Sequence, residues 1–226
     1  MSKFVNASIG RKFLMSISGL FLILFIAVHL TVNLLLIFDD SGDLYNNAAH
    51  FMVTNPFIRT MEPILGLGFL IHIIWSFILE YRYLNARPIR YSKRKSGANS
   101  SWESRNMFVL GALVLVFLII HIIDFYWVIR FRPEVMESAT VSGLEMEDTY
   151  TLVANLFKTS IIYDIFYVIG AVLLGFHLSH GFWSAFQTLG MNNKNWMKRL
   201  QSVGMVYALI VAVGFSVIPL YFLIKF

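Results

Sequence analysis

Cysteine is absent from the 226 residues, so no disulfide and no thiolate-held zinc or iron–sulfur site can form on this chain. Charge is scarce as well. Asp, Glu, Lys and Arg together make up 14% of the residues against 58% hydrophobic ones, a balance outside the range of soluble domains. There is no Ser–His–Asp arrangement, phosphate-binding loop or dinucleotide fingerprint, and the short connections leave no room for one. Soluble domains, tandem repeats and low-complexity tracts are missing too. The net charge of +5 does not point to nucleic acid, because the basic residues sit in short segments between apolar runs, where they act as topology charges.

What fills the chain instead is apolar sequence, with 21 phenylalanines. A bilayer crossing takes roughly 20 residues at 1.5 Å rise. Five runs are that long, at about 13–38, 58–84, 105–130, 159–188 and 201–224. They predict an all-α integral membrane bundle of five transmembrane helices forming one domain over residues 1–226. Barrel strands would be about ten residues of alternating polarity, which does not occur here. Lys3, Arg11 and Lys12 precede the first run as in a secretory signal. That run is too long for a signal core and no small-x-small site follows it, so it is expected to be a retained span. The connections are Asp39–Phe57, Arg82–Arg105, Phe131–Lys158 and Leu189–Leu200. The third, with Glu134, Glu137, Glu145, Glu147 and Asp148, is long and acidic and is expected to carry a short helix of its own.

Lys and Arg set the orientation. Lys3, Arg11 and Lys12, then Arg82, Arg87, Arg90, Lys93, Arg94, Lys95 and Arg105, then Lys194, Lys198 and Arg199 fall on one side. The other side has Arg59, Arg130, Arg132, Lys158 and Lys225, diluted by most of the acids. The positive-inside rule places the N-terminus in the cytoplasm and the C-terminus outside.

An ionisable residue in hydrocarbon is costly and needs a partner. Five of the six histidines fall inside spans: His29, His72, His121, and both His177 and His180 on span 4; His50 lies in a loop. His29 and His121 each lie about 16 residues, roughly 24 Å, from the cytoplasmic end of their spans. His72 and His177 lie about 12 and 11 residues, roughly 17 Å, from that face. Two pairs at two depths on four helices is what two haems require, each iron clamped between imidazoles of facing helices. Interhelical hydrogen bonding is the plainer reading of a lone membrane histidine, and His177 with His180, an i, i+3 pair, leaves room for a local metal site. Gly170 and Gly181 share the face of His177, and Gly68 that of His72, as space for a flat macrocycle or a close helix. Asn33 lies one turn beyond His29 and Asp124 one turn beyond His121, while Glu62, Glu80 and Asp164 stand near span ends, where solvated carboxylates are ordinary. Trp75, Trp127, Trp183 and Trp196 suit an interfacial belt.

The strings HLTVN (29–33), YNNAAHFMVTNPF (45–57), IH (71–72) and FHLSHGFWSAFQTLG (176–190) are specific. With a histidine on each of the first four spans, they resemble the two-haem (type B) cytochrome b subunit of succinate dehydrogenases and fumarate reductases over nearly the whole chain. The resemblance implies that His29 and His121 are the axial ligands of a haem distal from the cytoplasm, and His72 and His177 those of a proximal one. His177 stands four residues before Gly181, as the motif requires; His180 is the alternative ligand on span 4. The long acidic loop exceeds what the family leads one to expect. The resemblance further implies two haems b, a quinone acceptor, menaquinone above all, and flavoprotein and iron–sulfur partners docked on the cytoplasmic face of a bacterial cytoplasmic membrane. Succinate would be oxidised on the flavoprotein, not on this chain. Segments Arg87–Arg105 and Met191–Leu200 would be the docking surfaces. Near the outer haem, the polar residues for a quinone site are Asn33, His50, Arg59, Glu62, Asp124 and Asp164, with Glu62 and Asp124 the preferred proton carriers. A cytochrome b of another respiratory dehydrogenase fits the loop and span-4 strings less well, and a haem-free transporter using intramembrane histidines is the reading from another class.

The charge bias makes topology testable. A reporter fused after Phe226 is expected to read as external and one inserted near Ser96 as cytoplasmic. A cytoplasmic C-terminus would imply an even number of spans and break the depth pairing.

Overall fold

A computed structural model describes residues 8–86 and 101–226. Lys3 and the basic run Arg87, Arg90, Lys93, Arg94 and Lys95, with most of the expected docking segment, lie outside the described residues. In chain order the helices are α1 (Ser8–Phe38), α2 (Asp43–Thr54), α3 (Pro56–Asn85), α4 (Trp102–Arg105), α5 (Met107–His121), α6 (Trp127–Phe131), α7 (Thr149–Thr159), α8 (Ile161–Thr188) and α9 (Lys194–Lys225). A π-helical turn, Ile122–Tyr126, joins α5 to α6 without a break. Five helical segments are long and apolar enough to cross a membrane, at Ile9–Phe38, Pro56–Asn85, Met107–Phe131, Ile161–Thr188 and Lys194–Lys225. They are spans 1 to 5, and the all-α bundle of five transmembrane helices expected from the sequence is the observed fold.

Span boundaries follow from caps that hydropathy does not register. Asn193 accepts hydrogen bonds from the amides of Asn195 and Trp196, so α9 starts at Lys194 and not near residue 201 as expected. Lys194, Lys198 and Arg199 are therefore helical residues. Asn55 likewise caps α3, accepting from the amides of Phe57 and Ile58, with Pro56 in the first helical position. The acidic connection does contain a helix, α7, capped by the Asp148 carboxylate on the Thr151 amide at 2.9 Å. It also contains an antiparallel hairpin, β1 (Ser138–Val141) with β2 (Leu144–Glu147), that was not expected. Gly143 at its turn has φ of 82°, the conformation only glycine adopts freely.

Spans 1, 4 and 5 form the tight part of the bundle. Lipid is as apolar as leucine, so association depends on close packing, and small residues permit it. A Cβ added to Gly175 would lie 2.8 Å from the Ala212 methyl, and one on Gly214 would lie 2.8 Å from Leu30. Span 2 leans on span 1, where Phe21 occupies the space over Gly68. Span 3 packs on span 4. Spans 2 and 3 meet through side chains, with the Phe77 ring 5.4 Å from that of Phe108.

One end of the bundle is closed by a cap made of α2, the hairpin and α7. Leu36, Ile218 and Phe222 from the spans share a buried core there with Tyr45, Tyr150, Val153, Ala154 and Phe157 from the cap. Burial pushes the Tyr45 pKa up to about 12. Asn46, 2% exposed, joins the two halves of the cap. Its amide donates to Asp148 at 2.9 Å, and its carbonyl oxygen accepts from the Thr149 hydroxyl at 2.9 Å and the Tyr150 amide at 2.8 Å. Burial acts to raise the Asp148 pKa, but the bonds from Thr151, Asn46 and Tyr150 outweigh it and hold the carboxyl below its ordinary value. That contribution to stability is present above the unfolded pKa and is lost as pH falls through the depressed one. Lys225 pins the C-terminal end of span 5 to the same cap, donating to the Tyr150 hydroxyl of α7 at 3.2 Å and to Asp40, in the turn before α2, at 2.7 Å.

Asn46→Ala removes the acceptor of the buried Thr149 hydroxyl and Tyr150 amide and one of the donors to Asp148, and is expected to cost about 2–4 kcal/mol. The cap should loosen while the spans persist, read as faster proteolysis within residues 131–158 with helical content unchanged. Equal protease resistance would mean the cap is held by its apolar core alone.

Candidate functional site

The interior of spans 1 to 4 is lined by aromatic rings and holds the histidines in two pairs. His29 on span 1 faces His121 on span 3, with ring centroids 5.7 Å apart and planes at 87°. His72 on span 2 faces His177 on span 4 at 6.3 Å and 73°. The pairs stand at different levels. Ser18, which touches His72, and His29 are eleven residues apart on span 1, about 16 Å along a helix axis. The His29–His121 pair lies toward the cap, since His121 packs on Phe125, and Phe125 on Phe157 of α7.

On span 4 the ring that faces His72 belongs to His177. His180, one turn further along, lies edge-on to Trp183 at 4.6 Å and interacts electrostatically with Glu103, whose carboxyl is held below its ordinary pKa by its own amide, by Ser101 and by that histidine. Among the described residues the Nδ1 atoms of His121, His177 and His180 are buried with no hydrogen-bond partner. Asn33 donates to the His29 backbone carbonyl at 2.8 Å, with its amide nitrogen 3.4 Å from the His29 ring.

These observations can be tested against iron. Among the described residues no three His, Cys, Asp or Glu side chains converge, so nothing here makes a protein-only metal cage. Two opposed imidazoles suffice when a macrocycle supplies the remaining ligands. With a metal–imidazole bond of about 2 Å, two ligands on opposite sides of one atom have ring centroids about 6 Å apart. Both observed separations are close to that, and neither pair is locked by a competing side-chain acceptor on both rings. The residues fit the group.

The glycines beside the histidines differ from expectation. Phe117 fills the space over Gly170, Met107 lies 3.4 Å from a Cβ on Gly181, and Phe21 covers Gly68. Gly19 and Gly111, on the facing spans, are the ones that abut the imidazoles: a Cβ on Gly19 would be 3.4 Å from His72 Cε1, and one on Gly111 3.3 Å from His177 Cε1. Periodicity locates glycines on their own helix but not across the interface, which is why these two were missed.

The carboxylates near the cap end divide between two neighbours. Tyr126 donates to Glu62, which also pairs with Arg130 at 3.4 Å. Tyr167 donates to Asp124 at 2.8 Å. Asp124 and Tyr126 both belong to the π-helical turn directly after His121; the widened turn aims one toward span 4 and the other toward span 2. Asp164 is not the solvated carboxylate expected at a span end. It is 1% exposed, and neither oxygen has a hydrogen-bond partner among the described residues. Only Ser160 separates α7 from α8, so the cap covers the first turn of span 4. His50 lies on α2, part-buried, with its carbonyl accepting from Thr54, and Arg59 is exposed.

Fold and site thus define a multi-pass helical membrane protein with two cross-span histidine pairs. The chain is similar to the succinate dehydrogenase cytochrome b558 subunit of Bacillus subtilis (strain 168), at 25% identity over 203 residues that cover 87% of this chain and 86% of the relative. No family model and no solved structure matches the sequence.

Proposed function

We propose that this chain is the cytochrome b membrane anchor of a succinate dehydrogenase, passing electrons from a cytoplasmic iron–sulfur subunit through two haems b to a quinone, most simply menaquinone. The observation that carries the proposal is the pairing of four imidazoles on four spans at two levels. The similarity to a b558 subunit over almost its full length agrees with it.

In this reading His72 and His177 hold the proximal haem, and His29 and His121 the distal one. When bound, each group supplies one-electron transfer with no open coordination position, so oxygen and substrate are not activated on it. The protein's part is to fix the four imidazoles, exclude water with the surrounding aromatic rings, and handle protons. The N-terminus is cytoplasmic and the cap is outside. Succinate oxidation belongs to the flavoprotein partner. The partners dock on the face that carries Trp102–Arg105 and the connection from Leu189 to Asn193. The quinone binds toward the cap, where Glu62, held by Tyr126 and Arg130, and Asp124, held by Tyr167, are placed to deliver protons from outside.

Alanine at His29, His72, His121 or His177 is expected to remove about one haem per complex, while His180→Ala keeps both, as read by the reduced-minus-oxidised spectrum and haem-to-protein ratio after succinate addition. Two low-spin haems in all four variants would reject the ligand set, and a wild-type complex with no b-type signal would reject the cytochrome reading altogether.

For the carboxylates, Glu62→Gln and Asp124→Asn are expected to lower succinate:quinone activity roughly tenfold or more at unchanged haem content. Full activity in both variants would remove them from proton delivery.

A further inference from the structure

Ser18 on span 1 meets His72 on span 2, with Oγ 3.3 Å from the imidazole Nδ1. A serine hydroxyl carries one proton, and Ser18 donates it to the Met15 carbonyl at 3.0 Å. Only the Oγ lone pairs are left to face the ring, so the contact is a hydrogen bond with Nδ1–H as its donor. That defines the tautomer: the proton sits on Nδ1, and Nε2 keeps its lone pair. Ser18 is 7% exposed, so water does not compete for the oxygen. Gly19, the next residue, brings the backbone of span 1 against the same ring, 3.4 Å from Cε1 to where its Cβ would be.

The other three paired histidines lack this arrangement. Asn33 presents a donor, not an acceptor, to the His29 ring. The Nδ1 atoms of His121 and His177 have no partner among the described residues. Among the described residues, His72 is the one member of the two pairs whose Nδ1 meets a side-chain acceptor.

We propose that Ser18 is the positioning residue for His72, fixing the Nδ1–H tautomer and making its Nε2 a stronger electron donor. The proposal rests on the reading of His72 as an iron ligand. An acceptor on the far nitrogen raises the basicity of a ligating imidazole, and the chain Met15 carbonyl, Ser18 hydroxyl, His72 ring is polarised in one direction, each bond strengthening the next. A more basic ligand favours the oxidised iron, so the bond lowers the midpoint potential of the centre held by His72 and His177 and leaves the other unchanged. Span 1 thereby serves both pairs, giving His29 to one and the orienting hydroxyl to the other.

The test is a redox titration of the purified complex, followed by the visible b-type bands and low-spin electron paramagnetic resonance, for wild type, Ser18→Ala and Ser18→Thr. In Ser18→Ala the centre that disappears in His72→Ala should titrate at a higher potential with a shifted resonance, or lose its haem more readily, by roughly 10–100-fold in affinity. The other centre should not move. Ser18→Thr keeps a hydroxyl that can reach the carbonyl one turn back and should restore the wild-type values. Unchanged potentials and resonances in Ser18→Ala, equal shifts of both centres, or a threonine variant that behaves like alanine would each overturn the proposal. Absence of b-type haem from the wild-type complex would overturn the ligand reading itself, and the wild-type spectrum separates that failure from the others.

Discussion

An imidazole carried into the apolar middle of a bilayer finds no water to bond, and five of the six histidines of this chain stand in spans. Interhelical partners are the available compensation, and four of the five are brought ring to ring across the bundle. The demand shapes the rest of the interior. Phe25 stacks on His29, Phe117 stacks on His121, and Gly19 and Gly111 yield the space in which the rings of His72 and His177 lie. A larger residue at either glycine would push on an imidazole. The aromatic lining thus does two jobs: it fills volume between helices that have no hydrophobic drive to associate, and it leaves few polar atoms near the rings to compete for their nitrogens.

The cap answers a second constraint. Spans 1, 4 and 5 end in apolar side chains, Leu36, Tyr167 and Phe222 among them, that would otherwise face the interface. Covering them needs backbone with its own hydrogen bonds satisfied, and a hairpin plus a capped helix meets that need where an irregular loop would not. The acids that dominate this connection lie largely on the outer side: Glu145 and Glu147 are exposed, whereas Val141 and Met146 of the two strands point inward. Asp148 is the acid drawn inward, and Asn46 and Thr151 donate three hydrogen bonds to it. The length of this connection is accounted for by a lid on one end of the bundle.

Much of this was readable from the residues. Hydropathy locates all five spans, and counting residues from span ends pairs His29 with His121 and His72 with His177, because helix rise converts position to depth directly. On span 4 it is the ring of His177 that faces His72. What escaped was of a different kind. Asn193 lengthens span 5 by local hydrogen bonding that no hydropathy window detects. Asp164 is buried by a cap whose two halves are joined by Asn46, a residue distant in sequence from Asp148 and Tyr150. Gly19, Gly111 and Ser18 act across helix interfaces, and helical periodicity says which face a residue is on without saying what stands opposite.

The packing is uneven, and the histidines follow the unevenness. Span 4 buries eight residues and span 5 seven, with Gly175 against Ala212 as a point of closest approach. Span 1 joins them through Leu30 and Leu36, and the Tyr207 hydroxyl of span 5 donates to the Ile23 carbonyl of span 1 at 2.6 Å. Span 2 buries no residue and span 3 buries Leu110. Spans 1, 4 and 5 are therefore a frame, and spans 2 and 3 lean on it. Each histidine pair takes one ring from the frame, His29 or His177, and one from a leaning helix, His121 or His72. A ligand gripped by both rings of a pair would tie a leaning span to the frame at one depth, and two such ties on opposite flanks would fix both. Span 5 buttresses the frame and carries no histidine; it touches the His29–His121 pair through Phe215, whose ring lies 5.7 Å from that of His29. Under the proposed function, cofactor binding and completion of the bundle would be one process, with a group held between paired histidines supplying the contacts that the sparsely buried faces of spans 2 and 3 do not.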